Sequence, residues 1–143
     1  MTPEDRKAVS RCLLSLWTSN SKESFDAIFT FDYRNHHEGD VSGIATPRSL
    51  EQYKVLLAGY HAAFSSCTVE IFAQIAEGKL VATRWQLTAT QTGTYVVEPH
   101  TLEPTNKTSS WTGIELDRFD GGKIAESWVP WDKFGFYAAL GLV

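Results

Sequence analysis

A chain of 143 residues, 43% of them hydrophobic and 21% charged, is long enough to bury a core as one domain spanning residues 1–143, without disulfides or metal to hold it. Its net charge of -4, with lysines and arginines scattered, leaves no electrostatic footprint for nucleic acid or an anionic membrane, so neither is an expected partner. Cys12 and Cys67 form no CxxC pair and read as buried thiols, and the charged N-terminus lacks an apolar signal segment, which makes the cytoplasm the expected location.

Thr2-Pro3-Glu4-Asp5 opens a first helix: a capping hydroxyl, proline at the first helical position, then two acids where the helix dipole favours them. Val9, Leu13, Leu16 and Trp17 recur at helical spacing, so the helix runs to about Trp17 with one face buried. Residues 21–29 suggest a second, shorter helix, and FDYRNHHEGD a short strand entering a turn. Thr46-Pro47 repeats the cap-and-proline signal for a third helix, whose Leu50, Tyr53, Leu57, Tyr60 and Phe64 share one face.

After Cys67 the pattern alternates. CTVEIFAQIAEGKLVATRWQLTAT reads as a long hairpin turning at Glu77-Gly78. A polar loop with Pro99 and Pro104 comes next, then a second hairpin, SSWTGIELDRFD and KIAESWVPW, joined by Asp120-Gly121-Gly122. Helices first and antiparallel strands after them predict an α+β domain, with helices packed on one face of a bent sheet that leaves a conical cavity. Arg84 and Gln86 inside a hydrophobic strand suggest that part of a face sees that cavity or an interface.

Taken in order, YRNHHEG, HAAFSSCTVEI, IAEGKLVATRW, LEPTNK and FDGGKIAESWVPWD followed by FGFYAALG resemble the SnoaL-like polyketide cyclases of the NTF2-like superfamily. The resemblance covers most of the chain. It implies a cone-shaped α+β barrel, N-terminal helices on a strongly curved and mainly antiparallel sheet, a homodimer formed through that sheet, and an apolar pocket for a hydrophobic small molecule with no metal or organic cofactor. It also implies that Asp132, at the start of the C-terminal segment, is the general acid/base of an intramolecular ring closure. The chain departs from the family pattern in having Thr90-Gln91-Thr92-Gly93 where many relatives carry a histidine, and Asn106 in place of a loop glycine, which points to a different substrate.

Chemistry supports a role for Asp132, because abstracting a proton beside a carbonyl needs a base held in apolar surroundings, which Trp128, Trp131, Phe134 and Phe136 could supply. The alternative is that Asp132 only caps the final helix. Glu126 shares strand parity with Trp128 and Asp132 and is a second catalytic candidate if no bulge intervenes; otherwise it is a solvated or ion-paired residue. Arg84 is a candidate for holding a developing enolate, or for pairing with a buried acid such as Glu126. Alternation on the FDYRNHHEGD strand sends Tyr33, Asn35 and His37 one way and Arg34 and His36 the other, and Asn35 and His36 are the substrate-binding candidates there. Adjacent histidines point apart, so His36-His37 is no metal pair, and His61 and His100 complete no ligand spacing. Trp17, Tyr60, Phe64, Trp111 and Trp128 are the aromatic candidates for the pocket wall, with core packing as the alternative. The expected function is a cofactor-independent cyclase or isomerase of secondary metabolism. The alternatives are an epoxide or lactone hydrolase that recruits Glu126, and a binding module without catalysis.

Overall fold

Helix α1 (Pro3–Ser15) begins where the sequence places it, with Thr2 and Asp5 capping each other's backbone N–H groups. In the computed structural model, which describes residues 1–38, 47–97 and 100–143, only a single turn, α2 (Phe25–Ile28), forms of the helix expected over 21–29. Ser24 makes no side-chain cap bond to it, and a helix that short has no stability of its own. The chain passes directly into β1 (Phe29–Glu38), a ten-residue strand rather than a short one; the turn expected after it lies outside the described residues. Helix α3 (Leu50–Ala63) succeeds β2 (Arg48–Ser49) and starts later than expected. Ser49 and Gln52 form its capping box, while Thr46 of the expected cap lies outside the described residues.

The long hairpin forms as β3 (Phe64–Glu77) and β4 (Leu80–Gln91), with Gly78 at a positive φ of 56° in the turn. The stretch expected as a polar loop holds a small hairpin, β5 (Tyr95–Val97) and β6 (His100–Leu102); Pro99 lies outside the described residues. Gln91 anchors the segment from Leu102 to Thr105. Fully buried, it donates to the carbonyls of Leu102 and Glu103 and accepts from the Thr105 hydroxyl at 3.0 Å. Asn106 sits at φ 57°, a left-handed conformation that glycine or asparagine adopts at low cost. The second hairpin is β7 (Thr108–Asp120) and β8 (Lys123–Pro130), and the chain closes with α4 (Lys133–Ala139).

Six strands form one open sheet in the order β2-β1-β8-β7-β4-β3, antiparallel except for the parallel pair β1 and β8. Bulges between Ser65 and Thr68 and between Ile71 and Ala73 bend β3, as expected of a sheet that curves around helices. Alternation divides the two faces. Val81, Thr83, Trp85, Leu87 and Ala89 of β4 and Trp111, Glu115, Asp117 and Phe119 of β7 are buried on the inner face, under the helices. A bulge at Ala125 resets β8, so that Ile124, Ser127 and Val129 are buried with the inner face while Glu126 and Trp128 turn to the outer one. Among the described residues no helix is long and apolar enough to cross a membrane.

Candidate active site

Between the inner face and the helices lies a cavity of ≈ 120 Å³ with aromatic walls: Trp17 from the end of α1, Tyr60 from α3, Trp85 and Trp111 from β4 and β7, and Trp131 and Phe136 at the entry to α4. Gly113 sets one wall. It lies opposite Trp85 in the β4–β7 register, and a Cβ there would collide with the Trp85 ring, so glycine is what leaves room for the indole. Into these walls the fold inserts acidic and basic side chains, among them His37, Arg48, Glu115 and Lys133.

Polar atoms on this cavity's residues that are buried without a hydrogen-bond partner among the described residues include Glu115 Oε2, the Tyr60 hydroxyl, Trp85 Nε1 and Trp131 Nε1. A buried polar group left unpaired costs on the order of 1–3 kcal/mol, so several around one cavity suit an occupant that pairs with them. Two are indole N–H donors, which suit carbonyl or phenol oxygens.

Glu115 and Asp117 point the same way from β7 and are both almost wholly buried. Their surroundings differ. Asp117 accepts from the Ser10 hydroxyl at 2.7 Å and the Ser127 hydroxyl at 2.6 Å, one on each carboxylate oxygen, an arrangement suited to the ionised form. Burial nevertheless pushes its carboxyl up to about 6, against the lowering effect of its hydrogen bonds from Ser127, Glu115 and Ser10. Burial, with the Asp117 charge beside it, pushes the Glu115 carboxyl well above the usual range. Of the two, Glu115 is the carboxyl whose neutral form is favoured, and it hydrogen-bonds to the Asp117 carboxylate beside it.

Across the cavity, His37 Nδ1 lies 2.9 Å from Asn35 Oδ1, and Asn35 Nδ2 donates to the Tyr33 hydroxyl at 3.1 Å. An amide oxygen only accepts, so Nδ1 of His37 carries the hydrogen and the lone pair of the neutral ring lies on Nε2. The Trp17 ring lies 5.9 Å from the imidazole.

Of the residues singled out in the sequence, Trp17, Tyr60 and Trp111 line this cavity. Phe64 is core behind it, against Tyr60 and Trp111, and Asn35 is buried behind His37. The others lie elsewhere. Arg84 is on the outer face with its guanidinium 4.5 Å from the Phe72 ring, because even-numbered residues of β4 point outward, Gln86 among them. His36 stacks on Trp128 at 5.3 Å on that same face and bonds to Glu126 at 2.8 Å; Glu126 also accepts from Arg118. Burial alone would raise the Glu126 carboxyl, but the bonds from His36 and Arg118 hold it below its usual value. It is thus an ion-paired outer-face residue, placed there by the Ala125 bulge.

Asp132 is exposed and accepts from the Gly135 N–H at 2.9 Å as the N-cap of α4, while its neighbours Trp131 and Lys133 line the cavity. Asp132→Ala should therefore cost about 1 kcal/mol of stability, the usual worth of such a cap, and leave ligand binding in the cavity unchanged. Denaturant unfolding together with ligand titration measures both, and a loss of binding without a loss of stability would return Asp132 to the site. The residues missed in the sequence had one visible signal. In WTGIELDRF, Glu115 and Asp117 share the parity of Trp111 and Phe119, which puts two acids on an aromatic inner face. Arg48 and Lys133 carried no such mark.

A family model described as SnoaL-like polyketide cyclase matches residues 7–140. No curated protein matches the sequence. Among solved structures, AclR from Streptomyces galilaeus, a proposed hydroxylase, is 24% identical with a TM-score of 0.82 over 99% of both chains. IdmH from Streptomyces antibioticus, a proposed polyketide cyclase, is 23% identical with a TM-score of 0.79 over 95% of this chain and 98% of its own. A protein from Catenulispora acidiphila with a ketosteroid isomerase-like fold, in complex with trimethylamine, is 18% identical with a TM-score of 0.70, covering 100% of this chain and 96% of its own. These likenesses establish the fold: helices on a curved, mainly antiparallel and open sheet of the NTF2-like kind.

Proposed function

Since the chain belongs to the SnoaL-like polyketide cyclase family, we propose that it is an acid/base enzyme closing or rearranging a ring on a polyketide-type substrate, with Glu115 as the acid and His37 as the base. The observation that carries this reading is Glu115 Oε2: a carboxyl oxygen buried on the wall of an aromatic cavity without a partner among the described residues. A carboxyl kept neutral in apolar surroundings donates a strong hydrogen bond, or a proton, to a carbonyl at neutral pH. On the measure that gives one water about 10–15 Å³, the cavity holds about ten water-sized groups. That admits one or two fused rings, so the reacting end of a larger substrate enters while the rest stays outside.

The proton steps balance within the chain's own side chains. His37 Nε2 takes a proton from the carbon beside a carbonyl as Glu115 gives its proton to that carbonyl's oxygen, forming the enol. The enol carbon then bonds to an internal carbonyl carbon. That carbonyl's π bond breaks, and its oxygen takes the proton held by His37, while the enol oxygen returns its proton to Glu115. The product is an isomer of the substrate, and both residues end as they began. The indole N–H groups of Trp85 and Trp131 would orient further substrate oxygens. The homodimer through the sheet would use the outer face, where Phe72 and Ile114 are exposed.

The reading is tested by accurate-mass profiling of the host with the gene intact and deleted. Deletion should accumulate a compound of the same mass as the lost product. An accumulated compound lighter than the product by one water would mean hydrolysis instead, and an unchanged profile under expressing conditions would mean a binding role.

A further inference from the structure

The cavity needs only one acid, yet β7 buries two, and the second is not among the residues that line the cavity. Successive inward residues of a strand stand about 7 Å apart at the Cα, close enough for their carboxyls to interact directly. The environment of this pair is asymmetric. Asp117 receives Ser10 from α1 on one oxygen and Ser127 from β8 on the other, so both oxygens are committed to accepting. Glu115 receives no hydroxyl donor among the described residues, and its Oε2 is unpaired there. The two hydroxyls and the Glu115 carboxyl stabilise the charge on Asp117, and a second charge beside it, in the same dry layer, is unfavourable.

We propose that Asp117 is a positioning residue: its fixed charge, held by Ser10 and Ser127, keeps Glu115 a carboxylic acid facing the substrate. The inference rests on reading Glu115 as the acid of the site. The groups facing the pair come from every surrounding element. Tyr33 of β1 and Tyr53 of α3 face both carboxyls and remain neutral, their own hydroxyls pushed well up by burial. Trp17, at the end of α1, spends its N–H on the Tyr53 hydroxyl. Arg48 of β2 and Lys133 of α4 share the cavity wall with Glu115 and as cations act in the opposite direction, as His37 of β1 does only while it holds the proton taken from substrate. Burial and Asp117, in charge and in hydrogen bond, push the Glu115 carboxyl well above the usual range.

The test is a carboxyl titration of the full chain carrying glutamate and aspartate labelled with ¹³C at the side-chain carboxyl, with the Glu115 signal assigned by its absence in Glu115→Gln. In the wild type Glu115 should be protonated at pH 7. In Asp117→Asn, which keeps the shape and removes the charge, its midpoint should fall by at least one pH unit, a tenfold change in proton affinity. Ser127→Ala removes one donor from Asp117 and should raise the lower of the pair's two apparent midpoints while leaving the upper in place; it decides the matter if Asp117→Asn does not fold. A Glu115 already ionised at pH 7, or a midpoint unmoved in Asp117→Asn, or a lower midpoint unmoved in Ser127→Ala, would overturn the proposal. Product formation by Glu115→Gln separates this from the functional reading. If the midpoint moves as expected while Glu115→Gln stays active, the pair stands and the catalytic assignment falls. The converse result removes Asp117 and keeps Glu115.

Discussion

Phe136→Ala should destabilise the protein by about 3–5 kcal/mol, in the range for emptying an aromatic from a core. Phe136 is 2% exposed and touches Phe64, Tyr95, Trp111 and Trp131, with ring centroids 4.8 to 6.3 Å away. It is the only fully buried residue within α4, a helix of seven residues that cannot stand alone and is held by this ring, by Leu140 just beyond it, and by the Asp132 cap. For a chain of this size the loss corresponds to a fall in Tm of roughly 10–20 °C. Phe136→Leu, which keeps most of the volume, should recover a large part of it. A loss under about 1 kcal/mol in chemical denaturation would show that something other than this ring anchors the C-terminal segment.

Glu115→Gln should lower product formation by about 10²- to 10⁴-fold, the range for removing a general acid, while the fold is retained. Stability supplies a control with a defined sign. The Glu115 carboxyl is raised in the folded protein, so the folded state keeps a proton that the unfolded chain releases above about pH 4.3. The stability from this group is therefore fully present below that pH and is lost as pH rises through the folded-state value. Glutamine has no proton to lose, so the stability of the variant should fall less steeply over that window. Asp117, at about 6, leaves in both proteins a decline confined to the interval between about pH 4 and pH 6. A variant that loses both activity and stability at every pH would indicate a packing role for Glu115 instead.

How far the sequence carried this picture varied by element, for physical reasons. The helix cap at Thr2 and the glycine turns at Gly78 and Gly121 are local signals, and the elements they bound formed as read. The single turn of α2 has no side-chain cap, and α3 starts at the Ser49–Gln52 capping box. The family was legible in the order of its segments. The site was less so, since whether a strand residue faces in or out depends on register and bulges set by neighbouring strands. Strand parity correctly joined Glu126 to Trp128 and separated His36 from His37, but the choice of which face meets the cavity came out reversed for these residues. Arg84 went the same way, because the alternation of β4 gives its inner face to Trp85 and Leu87. Asp132 was visible both as a cap and as a base, and its hydrogen bond is that of a cap.

Glu115, buried in the cavity wall, and Asp132, exposed at the cap of α4, are the two carboxyls that could serve as the acid. The most direct measurement compares product formation in the host carrying Glu115→Gln with that in the host carrying Asp132→Asn, each at matched protein level. With Glu115 as the acid, the Glu115→Gln host should accumulate the same precursor as the gene deletion, and the Asp132→Asn host should make product at close to the normal level. Loss of product with Asp132→Asn alone, and normal product with Glu115→Gln, would contradict that role.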